Sequence, residues 1–165
     1  MPQGSLIEQR PHQKEMLDVT DEYIKLGAPG KGKITCDDGY CESRHKDEIK
    51  YAKWLLKAFG GDIVLLKEAN VRKIKTPDYL WNNKLWELKD ISSINSADQQ
   101  LRYALKQIQS NPGGVILNLK TDIDAKNLLK QLNRRALRSD IEEFDIMLLF
   151  EDKLINVLRH KKPKK

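Results

Sequence analysis

Residues 76–89 read TPDYLWNNKLWELK, and this stretch decides the fold. Two runs of strand-forming residues, Tyr79 to Trp81 and Lys84 to Lys89, flank Asn82-Asn83, a turn-forming pair that tolerates left-handed backbone. The spacing predicts an antiparallel hairpin. On its second strand Glu87 and Lys89 stand two apart and share a face. Trp86, Leu88 and Ile91 are expected to point the other way, into a core, while Asp78 opens the neighbouring strand.

Upstream, Ser43 starts a helical pattern with Ile49, Ala52, Leu55, Leu56 and Phe59 on one face and Gly60-Gly61 as its stop, followed by a short apolar strand from Asp62 to Leu66. Downstream, Ser96 to Ser110 carries Leu101, Ala104, Leu105 and Ile108 at helical spacing. Asn111 to Gly114 ends that helix before a buried-type strand, Val115 to Leu119. A helix over 122–138 and a final strand pair, Phe144 to Phe150 and Leu154 to Leu158, complete the pattern. The expectation is one α/β (α+β) domain: a helix, a central mixed sheet with an αβββαβ core, then a C-terminal helix and strand pair. Residues 1–42, with a Gly/Pro/Lys cluster at 27–33 and one amphipathic stretch from Gln13 to Leu26, read as a linker or cap. The domain proper then spans 43–160, and 161–165 is a basic tail, frayed from about Arg159.

The chain has 165 residues, with 30 basic against 24 acidic side chains, a net charge of +6 and a charged fraction of 33%. That length fits one domain, and the basic surplus favours an anionic partner such as nucleic acid. No run approaches the roughly 18 consecutive apolar residues of a membrane span, so no membrane insertion is expected. Met1 to Arg10 lacks the apolar stretch of a cleaved secretion signal, although a piece from the C-terminus of a larger exported protein would look the same. Two cysteines, Cys36 and Cys41, make neither a disulfide framework nor a four-ligand zinc site. Gly27 to Lys33 imitates a phosphate-binding loop, but Ile34 stands where such a loop needs Ser or Thr.

The chemistry concentrates at the hairpin. Asp78 and Glu87, carboxylates on adjacent strands, can share a hard divalent cation, Mg²⁺ or Mn²⁺, that neutralises a phosphate oxygen and lowers the pKa of an attacking water. The Lys89 ammonium then stabilises developing charge or positions that water. The matching reaction is phosphodiester hydrolysis.

Here Pro77-Asp78 and Glu87-Leu88-Lys89, with eight residues between the two acids, resemble the motif of the PD-(D/E)xK nuclease superfamily. The resemblance implies a metal held by Asp78 and Glu87, help from an acid on the first helix, Glu48 with Asp47 beside it, and a Gln-x-x-x-Tyr pair, Gln99 and Tyr103. Over Lys46 to Lys162 the chain is also similar to the C-terminal toxin domains of contact-dependent growth inhibition and related polymorphic toxins. That implies a bacterial toxin nuclease acting on RNA, tRNA first, or on DNA, delivered from the producer's cell surface into the target cytoplasm as part of a larger protein. It also implies a cognate immunity protein, expected to present an acidic surface. Some such toxins instead resemble the metal-free barnase/EndoU/colicin/RelE group, for which His45, Lys89, Arg102 and Thr121 are the candidates. A non-enzymatic nucleic-acid-binding or mobile-element structural module is the third alternative. For nucleic-acid contact the candidates are Gln99, Arg102, Tyr103 and Trp81, the last as a stacking platform near the hairpin tip. Trp54 and Trp86 fit core faces, and His12 and His160 fall in segments read as flexible.

Overall fold

A computed structural model describes residues 15–38, 40, 45–67, 76–108 and 113–162. In chain order the elements are β1 (Leu17–Asp18), α1 (Thr20–Leu26), β2 (Ile34–Cys36), α2 (Lys46–Ala58), β3 (Ile63–Leu65), β4 (Tyr79–Trp81) and β5 (Lys84–Ile91), then α3 (Ile94–Gln107), β6 (Gly113–Leu119), α4 (Ala125–Leu137), β7 (Glu143–Phe150) and β8 (Lys153–Lys161). Asn82 and Asn83 hold φ of 53° and 61°, the left-handed backbone that lets two residues reverse the chain between β4 and β5. Glu151 and Asp152, at 51° and 60°, repeat the device between β7 and β8.

All eight strands join one mixed sheet in the order β1-β8-β7-β6-β5-β4-β3-β2. The pairs β5/β6, β6/β7 and β2/β3 are parallel, and the other four are antiparallel. The parallel steps through β6 need crossovers, which α3 and α4 supply. Each crossover helix is stopped at its N-terminus by its own side chain. Ser93 and Ser96 form a reciprocal capping box that starts α3 at Ile94, and Asp124 accepts from the Asn127 amide at the head of α4.

The sheet is covered on both faces. Leu101 and Leu105 of α3 and Leu128 and Leu132 of α4 form one core with Ile91, Val115, Leu117, Ile146 and Leu148. Tyr51, Leu55 and Phe59 form the other with Ile63, Leu65, Tyr79, Trp81, Trp86, Ile116 and Met147. Strand β5 feeds both, Trp86 and Leu88 into the α2 core and Leu85 and Ile91 into the α3/α4 core. Ile91 therefore does not share the side of Trp86, as the sequence reading expected. It has the parity of Glu87 and Lys89, which consequently lie on the α3/α4 face.

The mixed sheet and the αβββαβ order from α2 to β6 agree with the sequence. The segment read as a linker or cap does not: β1 pairs with β8 and β2 with β3, so residues before 43 supply both edge strands. Nor is the basic end frayed from Arg159, because Arg159, His160 and Lys161 belong to β8 and pair with β7. Ser43 and Arg44, read as the first helix's start, lie outside the described residues, and α2 begins at Lys46 with His45 at its N-cap. Among the described residues no helix is long and apolar enough to cross a membrane.

Candidate active site

Strand β4 begins at Tyr79, and Asp78, just before it, extends the pairing by other means. Its amide donates to the Trp86 carbonyl at 2.9 Å, its carbonyl accepts from the Leu66 amide at 3.0 Å, and its Oδ2 accepts from the Leu88 amide at 2.8 Å. The carboxylate thus satisfies a β5 amide that has run out of strand partners. This fixes Asp78 beside Glu87.

Glu87 is only 3% exposed. Its Oε2 lies 3.1 Å from Lys89 Nζ, while Oε1 is buried without a hydrogen-bond donor. Burial, and then the negative charge of Asp78, push the Glu87 carboxyl up to about 8 against the pull of Lys89. Asp78 is raised too, by burial, against the Leu88 amide and the Lys89 charge. When both are ionised neither can donate to the other. When Glu87 holds a proton, that proton bridges the pair. Two hard oxygen donors that resist joint ionisation form a site that a cation relieves.

Glu48, in the first turn of α2, lies within electrostatic reach of Asp78; burial, then that charge, raise its carboxyl. Its Oε2 is 2.6 Å from Nδ1 of His45, and its Oε1 accepts from the Tyr40 hydroxyl at 3.2 Å. The rings of Tyr40 and His45 stack at 4.8 Å. Tyr79 ties this group to the hairpin by donating to the Glu48 carbonyl at 2.6 Å. Tyr40 and Tyr79 were not singled out in the sequence. Alternation within β4 would have placed Tyr79 in the α2 core, but no local pattern brings Tyr40 back onto α2.

Five candidates, Trp81, Gln99, Arg102, Tyr103 and Thr121, have their partners away from the carboxylates. Trp81 has no exposed surface, its Nε1 donates to the Gly60 carbonyl at 2.9 Å, and it packs on Tyr23, Phe59 and Trp86, so it offers no face to a base. Gln99 donates to the Tyr103 hydroxyl at 2.8 Å on the exposed side of α3, where the Arg102 guanidinium lies 5.3 Å from the Tyr103 ring centroid. Thr121 follows β6 and donates to the Ser92 carbonyl at 3.1 Å. Among the described residues His45, Lys89, Arg102 and Thr121 share no hydrogen bond or ion pair, while His45 and Lys89 both lie within electrostatic reach of Asp78. His160 is buried in β8 against Phe144 rather than flexible, and His12 lies outside the described residues. Among the described residues no three His, Cys, Asp or Glu side chains are grouped closely enough to hold a metal together.

Residues 75–153 match the family of the contact-dependent growth inhibition CdiA C-terminal domain. No curated protein matches the chain. The fold is similar to that of a chain solved in the CdiA-CT/CdiI toxin and immunity complex from Burkholderia pseudomallei, at 13% identity and a TM-score of 0.50, over 77% of this chain and 99% of that one. The likeness in fold and the match over the hairpin, α3, β6, α4 and β7 agree. Residues 75–153 are thus similar to the CdiA C-terminal domain of contact-dependent growth inhibition, and the fold is similar to that of a solved toxin of that kind.

Proposed function

We propose that this toxin domain is a nuclease of the PD-(D/E)xK kind that hydrolyses phosphodiester bonds of RNA, with tRNA as first substrate, and needs a hard divalent cation. The observation that carries the reading is the Asp78–Glu87 carboxyl pair beside Lys89, with one buried oxygen of Glu87 left without a donor. Mg²⁺ is commonly held by one or two carboxylates, with waters and substrate phosphate filling the other positions, so two side chains suffice. Asp78 and Glu87 would hold the cation, which would supply neutralising charge to a phosphate oxygen and raise the acidity of the attacking water. Lys89, kept beside Glu87, places a positive charge where the phosphorane charge develops. Glu48, steadied by His45 and Tyr40, adds a carboxylate next to Asp78 that can accept a proton from the attacking water.

The resemblance to a toxin solved with its immunity protein supports a cognate immunity protein here as well. The family supports delivery from the producer's surface into the target cytoplasm as the terminal part of a larger protein. The test is cleavage of total RNA and plasmid by the purified chain with Mg²⁺, Mn²⁺ or EDTA. RNA cut with metal, leaving 5′-phosphate or otherwise non-cyclic ends, is expected. Chelator-resistant cleavage leaving 2′,3′-cyclic phosphate would move the chemistry to a metal-free route through His45 or Arg102, and plasmid cleavage alone would make DNA the substrate.

A further inference from the structure

Arg135 of α4 grips Asp98 of α3 through two parallel bonds, each 2.8 Å, and so clamps the two helices together. Beside the clamp is a cleft of about 280 Å³, lined by Arg102 and Lys106 of α3, by Arg135 and Arg138, and by one acid, Asp140. Only Arg135 of these four cations is engaged in an ion pair among the described residues. Arg102, Arg135 and Arg138 all act on the one carboxylate of Asp98, which leaves positive charge in excess. Lys106 and Arg135 stand in last turns, where cations favour the helix dipole, but that effect fades within a turn and Arg102 lies further inside α3.

The cleft's charge and shape select its occupant. Helices α3 and α4, which form it, pack on the sheet face that Glu87 and Lys89 share with Leu85 and Ile91. Planar guanidinium groups match phosphate oxygens, and a concave site with four cations against one acid suits one phosphate of a polyanionic chain. We propose that this cleft is a phosphate subsite, seating a backbone phosphate of the nucleic-acid substrate away from the bond being cut. The assignment rests on the nuclease reading above for its substrate class.

The test uses fluorescein-labelled tRNA and the whole chain in a Glu87→Gln background, so that binding is read without cleavage. Lys106→Ala with Arg138→Ala is compared with a control pair, Lys126→Ala with Lys130→Ala, on exposed positions of the same helix bundle outside the cleft. Loss of two phosphate contacts should weaken binding roughly tenfold or more and reduce the slope of log Kd against log salt by about one to two, with the control pair well short of this. In the active chain the same cleft variant should raise KM and leave kcat unchanged. An unchanged salt slope, or an equal loss in the control pair, would overturn the subsite in favour of a diffuse field. So would a cleft variant that loses only the immunity protein. If the parent chain cuts no nucleic acid yet the cleft variant still loses tRNA, the nuclease reading fails while the phosphate cleft stands.

Discussion

Glu87 makes the sharpest demand on a single residue. A carboxyl raised to about 8 in the native chain binds a proton that the unfolded chain, at the ordinary value of 4.5, has already released. Between those values the native state holds more protons than the unfolded one, so this group's contribution to stability falls as pH rises. Glu87→Gln keeps the shape and removes that dependence. It should lose at least about 10²-fold in cleavage rate through loss of a charge contact at the site. At pH 8 it should melt higher than the parent by at least about 2–4 °C, the equivalent of about 1 kcal/mol in a chain of this size. At pH 4.5 the two should melt together. Scanning calorimetry across that range checks the sign, and a variant less stable than the parent at pH 8 would show that the attraction of Lys89 outweighs burial and the Asp78 charge. Mg²⁺ should stabilise the parent at pH 8 and leave the variant little changed.

At the scale of elements, β6 shows why a strand can be longer than its apolar run. Gly113 and Gly114 look like the end of a loop, yet both lie in β6, because Gly114 sits opposite Trp86 and the indole covers it. A Cβ on Gly114 would lie 2.3 Å from the Trp86 Cζ3. Gly114→Ala should therefore cost about 1–3 kcal/mol by overpacking, read as a lower midpoint in urea with an unchanged slope. The edge is held differently. Asp145, 1% exposed, accepts from the Tyr23 hydroxyl, from Arg159 at 2.8 Å and from Lys84 at 3.3 Å, while Arg159 also reaches Glu22 at 2.6 Å. Burial alone would raise the Asp145 carboxyl, but Arg159 and then Tyr23 and Lys84 hold it below the usual range. Its stabilisation is thus present above the ordinary carboxylate range and is lost as pH falls through the depressed native value, the opposite slope to Glu87. Asp145→Ala leaves two half-buried cations, Arg159 and Lys84, short of a partner and should cost up to about 3–5 kcal/mol, with Asp145→Asn milder. Trypsin should then cut at Lys25 or Lys31 sooner, since α1 has no buried residue of its own and is tied down through Tyr23 and Glu22. None of this was legible locally. The hairpin, Asp78, Glu87 and Lys89 could be read because turn chemistry and alternation are short-range rules. The edge strands β1 and β2, two and three residues long, carry no periodicity and exist only by pairing with β8 and β3. Trp81 was misplaced for the same reason: it sits one residue from a turn, but Gly60 and Phe59 return from α2 to cover it.

Over the whole molecule the net charge of +6 acts at a distance on any partner. An RNA nuclease gains from such a field in capturing substrate, and its inhibitor gains from the same field in reaching the toxin before it acts. The immunity protein proposed for this chain should therefore be acidic at its contact and associate with a rate constant above the neutral range of about 10⁵–10⁶ M⁻¹s⁻¹. That rate should fall as salt rises, since at about 0.15 M ionic strength the field is screened within about 8 Å. The dissociation rate should change much less, because desolvated contacts, once formed, feel salt weakly. Stopped-flow association from low to high KCl separates the two. The carboxylate pair gives the argument a second handle, because Glu87 is buried and an inhibitor that covers the cleavage site need not touch it. Glu87→Gln should bind the immunity protein at the parent's rate while cutting nothing. An association rate indifferent to salt, or an inhibitor that is basic where it touches the toxin, would show that the basic surplus serves the substrate alone.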